Sequence, residues 1–435
     1  MKSKYDAVVV GAGPAGSATA YILAKNGVDV ALLERGDYPG SKNMFGGSVY
    51  ARHTEEIFPA FWEEAPLERP IVTDQLWLLE HDSAVTIGFT GRRFAKAPYN
   101  KFSALRSHFD RWLADKAVTA GAGLVTRALV RNLVYENGLV SRGRLKGVQL
   151  DGGEVVEADV VVLAEGVNAF LTKEAGLRGE LPPYTMTLYL QEILALPANV
   201  IEERFQLAPG EGATIGVMGY PTAGAPGKAG LWTNKETLSI TIGSNLYELM
   251  KARLSPYILL ERVKGHPLLK RLLQGAETVE YKAHLIPKGG FNFVPTLYAD
   301  NLLVVGDAAT MISGRHGTDL AMLTGKHAAE TIVQARAKGD FSSKMLAAYR
   351  HKLNQTYFMQ DIKSAQGSLT YYRSHPDADY LVSSTANSAA YMFFTEEMVT
   401  EQEKTKKIFE TVKNRQLPVK TAADLYSGMM HWGAF

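Results

Sequence analysis

The feature that most constrains this chain is a glycine-rich turn between an apolar strand and a helix. Tyr5–Val10 is an apolar, largely β-branched run of strand length, and Gly11-Ala12-Gly13-Pro14-Ala15-Gly16 follows it directly. Residues 17–26 are then predicted as a helix, and residues 28–33 as a second strand that ends on Glu34. A strand, a GxGxxG turn, a helix, a strand and an acid in this order are typical of a unit that binds a dinucleotide.

Each position in this unit has a physical role. Gly11 permits the tight turn, Gly13 lets the backbone approach a pyrophosphate, and Gly16 lets the helix and strand pack closely. The free N–H groups at the helix N-terminus favour the anion, and Glu34 can accept hydrogen bonds from a ribose diol. An ordinary glycine-rich turn is the alternative, but it would require neither the flanking elements nor the acid. The cofactor contacts predicted here are Gly11, Gly13, Pro14, Ala15, Gly16, Glu34 and Arg35.

Two later strand ends indicate which dinucleotide is bound. Ala158–Leu163 runs into Ala164-Glu165-Gly166, and Asn301–Val305 runs into Gly306-Asp307-Ala308-Ala309. In these motifs the chain resembles the FAD-binding superfamily of aromatic hydroxylases, geranylgeranyl reductases and electron-transfer-flavoprotein:quinone oxidoreductases. The resemblance implies non-covalently bound FAD, with Asp307 at the ribityl chain and the Glu165-Gly166 turn closing the site, Glu standing where Asp is commoner. No second GxGxxG follows a later strand, so we expect no nicotinamide-binding domain.

Further segments resemble the FixC family, which belongs to the quinone oxidoreductase group. They are a KNxxGGxxY motif, an arginine at a helix start and two shorter stretches, at residues 42–50, 105–113, 200–207 and 279–284. The likeness extends to about residue 349. It implies that Gly46, Gly47, Ser48 and Arg106 contact the cofactor. Taken alone, Gly46-Gly47 could be a plain turn, and Arg106 could be the partner in a surface ion pair.

One segment departs from the FixC pattern. The loop after Ala309 is several residues shorter than we expect for FixC, and its ending, residues 317–322, is similar to the fused quinone oxidoreductases. A helix predicted from Asp319 to Ile332 would point its free N–H groups at the flavin pyrimidine and stabilise negative charge there. The acceptor-site residues stay undetermined. The remaining predicted cofactor contacts are Val130, Ala164, Glu165, Gly166, Gly306, Asp307, Gly317, Thr318, Asp319 and Leu320.

The composition excludes several chemistries. The chain has no cysteine, so it holds no disulfide, no Cys-ligated zinc and no Cys-ligated iron–sulfur cluster of its own. Its ten His residues form no HExxH motif and no tight cluster in the sequence, so no metal site is expected. We also expect no catalytic nucleophile or acid–base residue, and assign no chemistry to His108 or His284. A net charge of +2 without a basic stripe argues against binding of nucleic acid.

The predicted fold is α/β. A Rossmann-type FAD-binding domain of three-layer ββα architecture interlocks with an antiparallel-sheet domain on the quinone or substrate side. A mostly helical C-terminal region is expected to dock a partner or the membrane. The predicted ranges are 1–75, 100–175 and 285–355 for the first, 76–99 and 176–284 for the second, and 356–435 for the third.

The FixC resemblance and the missing cysteines together imply a function. Electrons would arrive from the α and β subunits of an electron transfer flavoprotein and a separate small [4Fe–4S] ferredoxin-like subunit. They would leave to a membrane quinone, with electron bifurcation in the complex left open. A geranylgeranyl reductase-like enzyme that reduces isoprenoid double bonds is the alternative, and a non-enzymatic FAD-binding scaffold is a third interpretation.

The expected location is the cytoplasm, with the protein peripheral at the inner face of the cell membrane. No apolar run reaches the roughly 18 residues of a spanning helix, and the first strand begins too early to leave room for a signal peptide. Residues 429–435 are strongly apolar, which favours docking on a partner or a lipid surface.

Overall fold

The computed structural model describes residues 2–42, 46–136, 143–314, 316–375 and 377–430. The expectations for Asn43-Met44-Phe45 of the KNxxGGxxY motif, for Arg315 of the shortened loop and for the end His431–Phe435 therefore lie outside the described residues. The described strands, in chain order, are β1 (Lys4–Val10), β2 (Val30–Leu33), β3 (Gly46–Tyr50), β4 (Ile71–Leu79), β5 (Ala84–Thr90), β6 (Lys101–Leu105), β7 (Gly123–Val125), β8 (Val130–Tyr135), β9 (Leu145–Leu150), β10 (Val155–Leu163), β11 (Met186–Ala195), β12 (Gly212–Gly219), β13 (Gly227–Thr233), β14 (Thr237–Asn245), β15 (Glu277–Pro287), β16 (Tyr298–Ala299) and β17 (Leu302–Val304). The described helices are α1 (Pro14–Lys25), α2 (Ala51–Glu55), α3 (Arg106–Thr119), α4 (Phe170–Glu174), α5 (Ala198–Phe205), α6 (Leu246–Ala252), α7 (Pro256–Gly265), α8 (Pro267–Leu273), α9 (Thr318–Lys338), α10 (Ser343–Asn354), α11 (Tyr357–Ser364), α12 (Gln366–Ser374), α13 (Ala378–Phe394), α14 (Glu401–Arg415) and α15 (Pro418–Met430).

The first sheet is built around parallel strands. Its order is β16-β17-β10-β1-β2-β7, and β9 and β8 continue it beside β10. β1 pairs in parallel with β10 and β2, and β10 pairs in parallel with β17, so the carboxyl ends of these strands meet at one edge. Val8, Val9 and Leu32 are fully buried, as expected for parallel strands covered on both faces. The predicted Rossmann-type arrangement is therefore present, with the glycine-rich turn at the edge where ligands bind.

The second sheet has seven strands in the order β15-β11-β14-β13-β12-β4-β5. Its neighbouring strands are antiparallel, except that β12 and β4 run parallel. β4 starts at Ile71 and β15 ends at Pro287, so both strands run through the predicted boundaries at 76 and 285. A strand that is paired along its whole length belongs to one sheet and therefore to one domain. The boundary between the two sheets thus lies at the start of β4 and at the end of β15. The short antiparallel pair β3 and β6 forms a separate two-stranded sheet.

Helix boundaries differ from the predicted ones for local reasons. α1 begins at Pro14 rather than residue 17, because proline has the φ angle of a first helical turn and needs no N–H partner there. α9 begins at Thr318 and continues to Lys338, past the predicted end. The stretch from 246 to 273 is three helices rather than one, because Arg253 has a left-handed φ of 52° and prolines start α7 and α8.

The C-terminal helices pack partly on the seven-stranded sheet. Asn387 of α13 donates from Nδ2 to the Leu78 carbonyl at 2.8 Å, and its Oδ1 accepts from Ser83 Oγ at 2.9 Å. These bonds hold α13 against β4 and the turn that follows it.

Among the residues that the structure describes, no helix is both long and apolar enough to cross a membrane.

Candidate functional site

The glycine-rich turn is shaped by contacts that leave no room for a side chain. Gly11 has φ +102°, and a Cβ there would lie 2.4 Å from the Ala164 carbonyl oxygen. A Cβ on Gly16 would lie 1.9 Å from the Gly11 carbonyl oxygen, so α1 can approach the strand edge only if this residue is glycine. Gly13 is the N-cap of α1 and supplies no side-chain acceptor, which leaves the first N–H groups of the helix available to an anion.

Glu34 at the end of β2 is fixed beside this turn. Its Oε2 accepts from the Ala12 N–H at 3.0 Å, and its Oε1 accepts from the Gly36 N–H at 2.7 Å. A carboxylate oxygen has two lone pairs, so each oxygen can accept one further hydrogen bond. The arrangement suits a ribose diol, as the sequence predicted.

One continuous cavity of about 1050 Å³ runs from this turn to the seven-stranded sheet. Most of the residues predicted from the sequence line it. They are Gly11, Gly13, Pro14, Ala15, Glu34, Arg35, Ser48, Arg106, Val130, Ala164, Glu165, Gly166, Gly306, Asp307, Gly317, Thr318 and Asp319.

Four predicted residues do not line this cavity. Gly16 lies behind the turn, where it allows close packing. Gly46 and Gly47 pair with Leu105 and Ala104 in the two-stranded sheet, so their part is to hold Ser48 and Arg106 near the cavity. Leu320 is fully buried, and its side chain belongs to the core of the parallel-sheet unit.

Arg106 at the start of α3 links two parts of the site. Its guanidinium donates to both carboxylate oxygens of Asp110, which is fully buried, and to Thr318 Oγ1 at 2.9 Å. Thr318 is the first residue of α9, so the arginine ties α3 to the helix N-terminus that borders the cavity. The alternative of a surface ion pair for Arg106 is wrong, because its side chain is only 14% exposed.

Asp307 lies in a single 3₁₀ turn after β17. Burial raises the pKa of Asp307 to about 6, although the nearby Arg106 and Arg178 favour its charged form. Gly306 allows this turn to pack closely against Ala15 of α1, because it has φ +65° and a Cβ there would lie 2.9 Å from the Ala15 Cβ. At neutral pH Asp307 is therefore a carboxylate that can accept hydrogen bonds from hydroxyl groups in the cavity.

Glu165 has a structural part in the cavity wall. Its carboxylate accepts from the N–H groups of Leu171 and Thr172 at 2.9 and 2.7 Å, and from the Thr172 hydroxyl at 2.7 Å. It thereby holds the N-terminal turn of α4 beside the cavity. Arg178 donates to the Val167 and Ala308 carbonyls at 2.7 and 3.1 Å, which joins this wall to the Asp307 turn.

The far half of the cavity is a chamber under the seven-stranded sheet, and sequence reasoning missed its residues. Its walls are mostly apolar, and a few polar groups face in among them. The apolar residues are Leu76, Ile87, Phe89, Leu188, Ile215, Val217, Met218 and Leu285. The polar residues are Gln75, Tyr189, Lys228, Trp232, His284 and Lys288. They come from several strands that meet only in the folded sheet, so no short motif could have revealed them.

Three polar groups of this chamber have environments that disfavour charge. Burial lowers the pKa of His284 to about 4, with Arg106 and Arg35 lowering it further, so its imidazole is neutral at pH 7. Burial also lowers the pKa of Lys288 well below its usual value, with Lys228 adding to the effect, and raises the pKa of Tyr189. The Lys288 amine lies 5.7 Å from the Tyr189 ring centre.

The comparisons with known proteins agree with this geometry. Residues 6–64 match the DAO family of FAD-dependent oxidoreductases. The FixC protein of Azorhizobium caulinodans is 40% identical over 367 residues, which are 83% of this chain and 83% of the relative. The FixC protein of Escherichia coli strain K12 is 40% identical over 353 residues, 80% of this chain and 81% of the relative. The chain belongs to the FixC family.

Solved structures similar to this FixC-family chain support the fold. A geranylgeranyl bacteriochlorophyll reductase-like protein from Thermoplasma acidophilum matches with a TM-score of 0.67 and 19% identity, covering 99% of this chain and 97% of its own. The flavin-dependent brominase Bmp2 matches with a TM-score of 0.60 and 17% identity, covering 99% and 94%. At these identities the likeness concerns the architecture of the flavoenzyme and not the reaction.

FAD is the cofactor of this FixC-family chain, which is an FAD-dependent oxidoreductase. The residues present fit the group. The bare turn at Gly11 and Gly13 suits the pyrophosphate, and the Glu34 carboxylate suits the adenosine ribose. Asp307 suits the ribityl hydroxyls, and the N-terminus of α9 at Thr318 suits the polar end of the flavin ring.

Proposed function

We propose that this FixC-family chain accepts electrons from an electron transfer flavoprotein and a small [4Fe–4S] ferredoxin-like subunit, and delivers them to a membrane quinone. FixC kinship carries the proposal, because the chain shares 40% identity with FixC relatives over most of its length. Its lack of cysteine adds to it, since a Cys-ligated cluster has to reside on another chain. When bound, FAD exchanges one or two electrons, so a chain of this kind needs no nucleophile.

The chamber under the seven-stranded sheet supports the choice of a quinone as the acceptor. A quinone head is a flat apolar ring with two carbonyl oxygens, and it needs apolar walls and a few donors. Ile87, Phe89 and Met218 supply such walls, while Tyr189 and Lys288 supply donors. The same cavity connects this chamber to the dinucleotide-binding turn, so an acceptor in the chamber would lie beside the flavin.

The proposed location is the inner face of the cell membrane, with residues 356–435 as the docking region. The end of α13 and the following loop expose Phe393, Phe394 and Met398, which are 61%, 78% and 105% exposed. Exposed aromatic side chains next to each other favour insertion at a lipid surface. A double variant, Phe393→Ser and Phe394→Ser, should bind anionic vesicles more weakly than the wild type in a flotation assay. Equal flotation of both proteins would count against this location.

The test of the function combines complex formation with electron transfer. The chain is co-expressed with candidate flavoprotein α and β subunits and a ferredoxin-like subunit, and the complex is purified under argon. We expect NADH, oxidised by the flavoprotein subunits and not by this chain, to bleach the flavin absorbance, and a soluble quinone analogue to restore it. Isolation of the chain alone, or bleached flavin that the quinone leaves unchanged, would contradict the proposal. If a separate soluble ferredoxin is added as a second acceptor, its reduction by NADH together with that of the quinone would show electron bifurcation.

The same preparation tests the two alternatives. Reoxidation by a prenyl lipid with loss of its double bonds, but not by the quinone analogue, would identify a geranylgeranyl reductase-like enzyme. Bound flavin that is reduced neither by the flavoprotein subunits nor by the ferredoxin-like subunit would identify a scaffold.

A matched pair of variants tests the chamber. Tyr189→Phe removes one hydroxyl from the chamber, and Tyr349→Phe removes one fully buried hydroxyl that bonds to the Val304 carbonyl. Only the first variant should slow quinone reduction.

A further inference from the structure

Three side chains of metal-ligand type converge beside the cavity. They are His53 of α2, His316 in the loop before α9, and Asp319 in the first turn of α9. One potential ligand atom from each lies within 4.8 Å of the other two. The expectation of no metal site rested on the spacing of His residues in the sequence, and the fold brings together residues that are distant in the chain.

The donor atoms have the chemistry and spacing of a transition-metal site. The His53 Nδ1 lies 3.4 Å from Asp319 Oδ2, and the His316 Nδ1 lies 2.6 Å from the same oxygen. Tetrahedral zinc with bonds of about 2.1 Å separates its ligand atoms by about 3.4 Å. The first pair already has this separation, and the second is a hydrogen bond that a metal ion would replace by displacing its proton. We propose that His53, His316 and Asp319 bind one divalent transition-metal ion, for which zinc is the best match.

The electrostatics of the cluster favour a cation. The Asp319 side chain is only 3% exposed, and a buried carboxylate requires a compensating partner. Among the described residues, the ionisable groups that pair with the Asp319 carboxylate within 4 Å are the imidazoles of His53 and His316. His53 Nδ1 is itself buried and makes no hydrogen bond within the described part of the chain. An imidazole nitrogen is a common ligand of transition metals.

The surroundings of the cluster are two tyrosine rings and the cavity. The Tyr50 ring lies 4.3 Å from the His316 ring, and the Tyr357 ring lies 5.7 Å from the His53 ring, measured between centres. These tyrosines form walls around the cluster, whereas His316 and Asp319 also line the cavity. Three protein ligands with a fourth position open to water or a small ligand are typical of catalytic zinc sites. The inference depends on these residues alone and not on the proposed quinone reaction.

The test measures metal binding by the FAD-loaded protein. The protein is stripped with a chelator, dialysed and titrated with Zn²⁺ by calorimetry at pH 7.5, and its metal content is measured by mass spectrometry. We expect one zinc per chain, weakened at least about tenfold by His53→Ala or by His316→Ala. The matched control is His327→Ala, which removes a histidine of α9 that lies 3.5 Å from Glu330 and outside the cluster. This variant should bind zinc as the wild type does.

Three further measurements keep the outcome clear. Flavin content and melting temperature show whether each variant is folded, and X-ray absorption at the zinc edge should show nitrogen and oxygen ligands at about 2.0–2.2 Å. The proposal is overturned if folded wild type takes up no stoichiometric zinc. It is equally overturned if His53→Ala, His316→Ala and His327→Ala all bind zinc as the wild type does.

Discussion

At the scale of single residues, Asp307 couples stability to pH. Burial raises its pKa from 3.8 to about 6, so the folded chain keeps this proton to a higher pH than the unfolded chain. The contribution of Asp307 to the stability of the flavin-free protein should therefore decrease as the pH rises from about 4 to about 6. His284 contributes a change of opposite sign over this range, because its pKa is lowered to about 4 in the folded protein, so the Asp307 contribution is the difference between the wild type and Asp307→Asn. Asp307→Asn should remove this decrease and weaken FAD binding by about tenfold to a hundredfold, because an amide accepts hydrogen bonds less strongly than a carboxylate.

Thermal melting of the flavin-free proteins between pH 4 and pH 7 measures the first effect, and flavin fluorescence titration measures the second. Asp82→Asn, at an exposed position, is the control and should change neither quantity. A decrease in stability that persists in Asp307→Asn would assign the effect to another group.

Arg106 allows stability and cofactor binding to be separated. Arg106→Met should destabilise the protein by about 3–5 kcal/mol, because the fully buried Asp110 would lose the ion pair and the two hydrogen bonds that the Arg106 guanidinium supplies. Adding Asp110→Leu should restore much of that stability, since the buried charge is then gone. FAD affinity should stay low in the double variant, because Arg106 also holds Thr318 at the cavity. Urea denaturation measures the stability of the single and double variants, and FAD titration measures their FAD affinity. If the double variant recovered both equally, Arg106 would have no role in FAD binding apart from its role in stability.

At the scale of elements, the packing of α1 on α9 positions the phosphate-binding turn. A Cβ on Gly325 would lie 2.4 Å from the Ala15 carbonyl oxygen and 2.8 Å from Thr19 Oγ1. Gly325→Ala should therefore destabilise the protein by about 1–3 kcal/mol. It should also weaken FAD binding, because Ala15 lines the cavity. In contrast, Gly367→Ala in α12 meets no atom within 4 Å and should be neutral or stabilising by up to about 1 kcal/mol.

Urea denaturation and FAD titration compare the two glycine variants. If Gly325→Ala matched Gly367→Ala in both quantities, close contact between α1 and α9 would not be what positions the turn.

At the scale of the whole molecule, Arg69 joins the sheets. Its side chain is 2% exposed and donates to Glu202 Oε1 at 2.7 Å and to the backbone carbonyls of three residues. These residues are Glu211, Asn234 and Lys235, at 2.9, 2.6 and 2.8 Å. The Arg69 N–H donates to Ser103 Oγ of β6, whose hydroxyl donates to the Thr233 carbonyl of β13 at 2.7 Å. The two-stranded and seven-stranded sheets therefore share this buried polar joint.

Arg69→Met should destabilise the molecule by about 3 kcal/mol or more, because it leaves several buried acceptors without a donor. The loss should be equal with and without FAD, since Arg69 does not line the cavity. Arg92→Met, at a side chain that is 81% exposed, should change stability by less than about 0.5 kcal/mol. Denaturant titration measures the stability of both variants. A loss of stability confined to the FAD-free form would contradict the role of Arg69 in joining the two sheets.

The sequence by itself determined the parts of the protein that depend on short-range physics. Gly11, Gly16 and Gly306 must be glycine because their own backbone angles or nearest contacts exclude a side chain, and such positions can be recognised within a strand-turn-helix motif. The Rossmann-type unit, FAD and the FixC family followed from motifs of this kind. The domain boundaries placed at 76 and 285 fall inside the strands that start at Ile71 and end at Pro287, because those strands are fixed by pairing with distant strands.

Tertiary structure alone decided what lies between those motifs. The chamber is lined by residues from several strands, and Arg69 acquires its role only where sheets meet. The His53, His316 and Asp319 cluster likewise exists because α2 is folded against the start of α9. Each of these features needs residues that are distant in the chain to be brought within a few ångströms, and the spacing of residues along a sequence contains no record of that distance.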